Sequence, residues 1–258
     1  MNKIDKLVNL KGKNVLITGA SGHLGYEIAS TLYELGINLY LTDLSTSSLS
    51  IFDKKKFPNV IKIQCDLSKE KQRKKLIKKI KNLDILINNA AFVASSKLKG
   101  WNTKFSNQST EAWRKAFEVN LTAPFHLIRD LSRLLKKNSN SSIINISSIY
   151  GYRAPNIDLY ENTKMNNIAA YSASKAGLNQ LTKWCASTLG PKIRVNCISI
   201  GGIYRNQNKI FVKNYKKKTF LKRMAKEDDV IGGIIFFASD MSKYITGQNL
   251  FIDGGFTS

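Results

Sequence analysis

Short apolar runs rich in Ile, Leu and Val alternate with helix-like segments along all 258 residues, and this alternation is what most confines the fold. Near-continuous apolar strands, each followed by an amphipathic stretch, belong to a parallel sheet covered by helices on both faces. Strands are predicted at 14–18 (NVLIT), 37–42 (INLYLT), 60–64 (VIKIQ), 83–87 (LDILI), 142–147 (SIINIS), 193–198 (IRVNCI) and 249–252 (NLFI). Helices are predicted at about 23–35, 46–56, 69–81, 109–137, 170–189, within 206–224 and at 227–239. The strands form one series with no internal repeat, low-complexity linker or Pro-rich stretch, and a chain of this length buries roughly three quarters of its unfolded surface. The expected fold class is α/β, a doubly wound seven-stranded parallel sheet, in one domain spanning 1–258.

Charge narrows the functional classes less than its size suggests. The chain carries 41 Lys plus Arg against 18 Asp plus Glu, a net +23, which by itself would suit nucleic acid or an acidic membrane. Only eight of the 41 are Arg, however, and base reading and bidentate phosphate recognition favour Arg. No specific nucleic-acid partner is expected. Two basic clusters stand out, 69–81 and 213–223. In the first, Leu76, Ile77 and Ile80 recur at helical spacing beneath a solvated charged face. No apolar run approaches the ~18 residues of a membrane span, and the N-terminus lacks the apolar core of a secretory signal, so a cytoplasmic protein with no membrane partner is expected. Cys65, Cys185 and Cys197 are widely spaced and only His23 and His126 accompany them, which predicts neither a structural metal nor a disulfide framework.

The first strand runs into TGASGHLG, Thr18 to Gly25, and then into a helix. A glycine-rich turn there lets backbone approach a pyrophosphate and aims free N–H groups at it. Asp43, at the end of the second strand and 18 residues after Gly25, lies where a carboxylate accepts ribose hydroxyls and repels a 2′-phosphate. NAD is therefore favoured over NADP. The long polar stretches 92–107 and 151–169 follow strand C-termini, where ligands sit in open α/β sheets, and are expected to shape a substrate site together with 203–224.

TGASGHLG, CDLS (65–68), NNAA (88–91), Asn120 in EVNLTAPF, INISSIYG (144–151), YSASKAGL (171–178), RVNCISIGGI (194–203) and YITGQNLFIDGG (244–255) resemble, in order, the motifs of the short-chain dehydrogenases/reductases. The resemblance implies a Rossmann-type fold that binds NAD(P) across the C-terminal edge of the sheet, a small-molecule substrate, and a homo-oligomer, dimer or tetramer. It assigns Gly19, Ser21, Gly22, His23, Leu24 and Gly25 to the dinucleotide phosphates and Asp66 and Leu67 to adenine. It further implies Asn89 and Ala90 beside the adenosine ribose, and Ile203 at the nicotinamide amide by its backbone. Three positions depart from the common pattern. His23 stands where a glycine is usual, a spacing seen more in the family's extended sugar-nucleotide branch; NNAA replaces NNAG; and Ile200 stands where Pro normally precedes Gly201.

Hydride transfer at a secondary alcohol or ketone needs a general acid/base, and an unperturbed Tyr titrates about three units too high for neutral pH. A cation ~4 Å away at an effective dielectric of ~20 contributes about 4 kcal/mol, enough to close that gap. A Tyr-x-x-x-Lys pair on one helix face supplies it. Ten Tyr and 33 Lys would give about one such pair by chance, and the chain has two, Tyr160 with Lys164 and Tyr171 with Lys175. Distance from Ser148 favours the first. The small residues after Tyr171 and the poor helix sequence around Tyr160 favour the second, with about ten residues inserted between Ser148 and Tyr171. By motif match Ser148 and Tyr171 would bind the substrate oxygen, Lys175 would also bind the nicotinamide ribose, and Asn120 would fix a water in the proton relay.

The insertion, APNIDLYENTKMN (154–166), resembles one in family members associated with flagellin modification and surface-sugar biosynthesis. That implies a sugar, sugar phosphate or nucleotide sugar as substrate, with the 213–223 cluster at the substrate lid. Two other readings remain open here: a sugar-nucleotide epimerase or dehydratase that retains NAD, suggested by the glycine spacing, and a catalytically silent member acting as a regulator or binding protein.

Overall fold

A computed structural model describes residues 2–93, 96, 98–138 and 140–258. Positions 94, 95 and 97 of the expected 92–107 loop lie outside the described residues. Seven parallel strands form one sheet: β1 (Asn14–Thr18), β2 (Asn38–Asp43), β3 (Ile61–Gln64), β4 (Ile85–Asn88), β5 (Ser141–Ser148), β6 (Ile193–Ile200) and β7 (Asn249–Ile252), in the order β3-β2-β1-β4-β5-β6-β7. The central strands are buried on both faces, every residue of β4, β5 and β6 included, and their polar members such as Asn145 and Asn196 are buried with hydrogen-bond partners. Side-chain alternation divides the core in two. Val15, Ile17, Ile85 and Ile87 pack beneath α2 (His23–Glu34) and α8 (Asp228–Ala238). Leu16, Leu86, Ile143 and Val195 pack beneath α3 (Glu70–Lys79), α5 (Ala123–Leu135) and α6 (Ala169–Leu189).

Three helices differ from expectation. The stretch 46–56 forms only a 3-10 turn, Ser48–Ile51, closed by Ser hydroxyls that compete with helical backbone bonds. The expected helix over 109–137 is broken into α4 (Thr110–Phe117), one π turn (Glu118–Thr122) and α5. Pro124 has no N–H for the carbonyl four residues earlier, and the π turn absorbs the defect. A short N-terminal helix, α1 (Lys3–Val8), was not expected from the apolar pattern, because it buries no residue; Asn2 and Asp5 close its first turn reciprocally.

The solvated face expected over 69–81 has one exception. Arg73 is 2% exposed and reaches from α3 to the Leu67 carbonyl, to Glu118 at 2.6 Å and to His126 Nδ1, pinning α3 to the π turn. Burial and the neighbouring guanidinium groups of Arg73 and Arg129 lower the His126 pKa. The other basic cluster forms α7 (Lys209–Lys218), which buries Phe211 and Tyr215 and leaves its lysines outside.

The inserted stretch after β5 has its own packing. Leu159 joins Ile149, Phe211, Tyr215, Met224 and Phe256 in a small apolar cluster, and Asn214 donates to the Asp158 carbonyl, so the insertion rests on α7. Gln108, at the end of the 92–107 loop, accepts from Ala169 N at 3.0 Å and donates to Asn167 O at 2.9 Å, joining that loop to the start of α6. Among the described residues no helix is long and apolar enough to cross a membrane.

Candidate active site

A cleft of about 740 Å³ opens over the C-terminal ends of the strands, where β1 and β4 lie side by side and the strand order reverses. All the expected cofactor residues line it: Gly19, Ser21, Gly22, His23, Leu24, Gly25, Asp43, Asp66, Leu67, Asn89, Ala90, Tyr171, Lys175 and Ile203, together with Ser148.

At one end is the glycine turn. Gly22 caps α2 with no side-chain hydrogen bond, leaving the first N–H groups of the helix directed at the cleft mouth. Gly25 is the tight position: a Cβ there would sit 2.1 Å from the Gly19 carbonyl oxygen. At Gly19 the backbone is left-handed, φ +64°, and a Cβ would meet Ala90 at 2.8 Å. Gly22 has room, with only the Gly19 carbonyl at 3.4 Å, so the shift of the middle glycine is sterically local. Asp43 reaches back to this turn, its Oδ2 accepting from Ser21 N at 2.9 Å and Ser21 Oγ at 2.6 Å. Asn89 donates to the Thr18 and Gly19 carbonyls, both at 3.0 Å, and ties β4 to the same turn. Burial pushes the Asp66 carboxyl up, but the Ser68 hydroxyl and amide, with Lys115 and Lys69, outweigh it and hold the group below its ordinary value.

At the other end, Ser148 closes β5 while Tyr171 and Lys175 project from one face of α6. Lys175 is 2% exposed, its ammonium donates to Ile146 O at 2.7 Å, and it lies 5.8 Å from the centroid of the Tyr171 ring. Burial lowers the Lys175 pKa to about 8. Burial raises that of Tyr171 and the nearby Tyr160 phenol adds to the rise, while a hydrogen bond with Ser148 and the charge of Arg205 draw it partly back. The expected lowering of the phenol by Lys175 is thus not what this geometry produces: the ammonium is turned to the Ile146 carbonyl, and desolvation dominates.

Tyr160 is not among the residues lining the cleft. It follows a 3-10 turn, Ile157–Leu159, its hydroxyl lies 2.8 Å from that of Tyr150, its ring packs on Phe211, and Lys164 is exposed to solvent. Asn120 is fully buried in the π turn, just beneath the cleft. Its Oδ1 accepts from Phe92 N at 2.6 Å, and its Nδ2 donates to Ser174 Oγ at 3.0 Å. Arg205 and Gln207, inside the 203–224 stretch expected at the substrate site but not singled out there, also line the cleft, as does Lys115, which was not expected. No spacing rule reaches Lys115, which α4 brings in.

A family model described as Enoyl-(Acyl carrier protein) reductase matches residues 19–257. A Campylobacter coli protein named Post-translational flagellin modification protein A is 31% identical over 95% of this chain and 98% of its own. The chain belongs to the short-chain dehydrogenase/reductase family. A Rickettsia conorii member, a 3-oxoacyl-acyl-carrier-protein reductase, FabG, is 32% identical over 96% of this chain and 98% of its own. Two solved members superpose closely. A short-chain dehydrogenase from Leptospira borgpetersenii with bound NAD+ has 34% identity and a TM-score of 0.84, covering 100% of this chain and 96% of its own. The Pseudomonas aeruginosa RhlG/NADP complex has 25% identity and a TM-score of 0.84, covering 97% of this chain and 98% of its own. As a short-chain dehydrogenase/reductase the protein is an oxidoreductase that works with a nicotinamide cofactor. Among the described residues no cluster of His, Cys, Asp or Glu is placed to hold a metal ion.

Proposed function

We propose that this oxidoreductase transfers hydride between NAD and a secondary alcohol or ketone on a sugar, sugar phosphate or nucleotide sugar. Support comes first from the meeting of the glycine turn, Asp43, Ser148, Tyr171 and Lys175 in one cleft, with loops 92–107, 151–169 and 203–224 around its substrate end in a one-domain chain. The residues suit a dinucleotide. A backbone approach of Gly25 to Gly19 that no side chain would permit leaves space for a pyrophosphate, and Asp43 stands at the adenosine side. Asp66 and Leu67 would face adenine, Asn89 and Ala90 the adenosine ribose, and Ile203 the nicotinamide amide. Asp43 favours NAD through repulsion of a 2′-phosphate, and the Leptospira relative carries NAD+.

When bound, the nicotinamide supplies or accepts the hydride. The chain's own residues handle the proton. Ser148 orients the substrate oxygen, and Tyr171, whose phenol burial holds above its ordinary value, is suited to give its proton to that oxygen during reduction. Lys175 binds the nicotinamide ribose, which would draw its ammonium off Ile146. Asn120 locks Ser174, and with it the helix carrying Tyr171. The relay water expected of Asn120 falls to its main-chain carbonyl, the one four residues before Pro124.

The sugar substrate is supported by the inserted stretch and by the flagellin-modification relative. A second reading, reduction of a 3-oxoacyl thioester, is favoured by the FabG relatives. A panel of hexoses, sugar phosphates, nucleotide sugars and 3-oxoacyl thioesters, followed by NADH absorbance, separates the two. Turnover confined to the thioesters would overturn the sugar reading. A product epimerised or dehydrated with no net NADH change would point to an enzyme that regenerates its NAD.

A further inference from the structure

The cations of the cleft are not equally engaged. Lys115 donates to Ser68 Oγ at 2.6 Å near Asp66, and Lys175 donates to Ile146 O. Arg205 lines the same cleft two residues beyond Ile203. Its Nε donates to Glu227 Oε1 at 3.0 Å, and its backbone N–H donates to Gln207 Oε1 at 2.8 Å. Gln207 Nε2 in turn donates to Ile203 O at 2.7 Å, and Tyr204 N donates to Ala225 O at 2.8 Å, so the turn that presents Arg205 is held from both sides. Among the described residues, neither Nη1 nor Nη2 of Arg205 has a hydrogen-bond partner.

A guanidinium oriented at Nε with both terminal nitrogens open is the fork that fits a carboxylate or phosphate in bidentate fashion. It lines the same cleft as Ser148, Tyr171 and Ile203. The basic residues that the sequence placed at the lid do not compete for this role. The lysines of α7 face solvent, and Arg223 is closed by Asp229 through two of its nitrogens.

We infer that Arg205 binds an oxyanion carried by the substrate, so that the enzyme acts on an acidic compound, a sugar phosphate, nucleotide sugar or sugar acid, and not on a neutral sugar. The sugar part of this statement rests on the function proposed above; the oxyanion part rests on the fork alone.

The test uses NAD+-loaded protein, in which the dinucleotide's own phosphates already have their site. Inorganic phosphate is titrated calorimetrically into the wild type, Arg205→Gln and Arg205→Lys, and NADH affinity is measured for all three. Arg205 is 39% exposed, so these substitutions leave the core packing alone. Phosphate affinity should fall roughly tenfold or more in Arg205→Gln, by an intermediate amount in Arg205→Lys, and NADH affinity should hold. Equal phosphate binding in wild type and Arg205→Gln, or none in either, would overturn the inference. A tenfold loss of NADH affinity in Arg205→Gln would assign the fork to the dinucleotide and also overturn it. Glucose, glucose 6-phosphate and glucuronate then serve as substrates beside 3-oxoacyl thioesters and simple keto acids. Turnover of neutral glucose unaffected by Arg205→Gln would sink the oxyanion and leave the sugar standing. Turnover of keto acids alone, with KM raised in Arg205→Gln, would sink the sugar and leave the oxyanion standing.

Discussion

The ammonium of Lys175 donates to the Ile146 carbonyl at 2.7 Å while lying 5.8 Å from the ring centroid of Tyr171, so the two residues share one helix face without a direct bond. A carbonyl at the end of a buried strand thus holds the lysine in the orientation from which a bound ribose would take it over. Tyr171 meanwhile is tuned by desolvation and by Ser148.

This arrangement separates the two tyrosines experimentally. Tyr171→Phe keeps the ring and its packing and removes the proton donor, so turnover should fall by ~10² to 10⁴ with folding and NADH binding retained. Tyr160→Phe removes the hydroxyl contacts with Tyr150 and Asn167 and should raise KM with little change in kcat. Steady-state kinetics on both variants checks the assignment, and an inactive Tyr160→Phe beside an active Tyr171→Phe would reverse it.

Lys175 has a stability consequence with a definite sign. Its folded pKa, about 8, lies below its ordinary 10.5, so between these values the unfolded chain binds more protons and the penalty of burying the cation fades as pH rises. Lys175→Met should therefore stabilise the cofactor-free protein by up to about 3 kcal/mol at pH 7, with the advantage over wild type shrinking between pH 8 and 10.5. NADH affinity should drop in the same variant. Denaturant melts of the pair at pH 7 and pH 10 would show the convergence, and a difference independent of pH would rule it out.

Asp43 holds the glycine turn and, in the proposed function, sets the cofactor preference. In Asp43→Ala both Ser21 bonds are lost, which should cost about 1 to 3 kcal/mol of stability, and the proposed repulsion of a 2′-phosphate would go with them. NAD affinity should fall and the NAD/NADP preference narrow. Tighter binding of NADP by the wild type would show that the carboxylate does not set the preference.

The glycines of the turn should not be equivalent. Gly25→Ala places a methyl 2.1 Å from a backbone carbonyl that cannot move without dislodging β1 from its turn, and NADH binding should be abolished. Gly22→Ala meets nothing closer than 3.4 Å and should leave the fold and its melting temperature unchanged within about a degree or two. Fluorescence titration and thermal melts of the two variants make the comparison.

A homo-oligomer is expected in solution. The edge strand β7 is half-exposed along its length, and a Cβ at Gly232 of α8 would meet nothing within 4 Å, so the sheet edge and this helix are open to a second copy of the chain. Sedimentation at micromolar concentration should give a dimer or tetramer, and a species near 29.0 kDa would count against that face.

The sequence alone determined the elements whose signal is local and repeated. Short β-branched and apolar runs between helix-like segments made all seven strands legible to within one or two residues, and the glycine turn, Asp43, Ser148 and the Tyr171–Lys175 pair, picked out by residue type and spacing, all line the cleft. Tertiary structure decided what depends on partners far along the chain. The break in the 109–137 helix places Asn120 where the Phe92 backbone and Ser174 can hold it, and no periodicity reports that. Arg73 looks like any charged residue on a solvated helix until Glu118 and His126 are folded against it. Of the two Tyr-x-x-x-Lys pairs the fold brings Tyr171 and Lys175 to the cleft and leaves Tyr160 out of its lining, and Arg205 became a cleft residue only when Gln207 and Glu227 closed around its turn. Hydrophobic period is a property of a segment, whereas the environment of a single polar side chain is a property of everything packed around it.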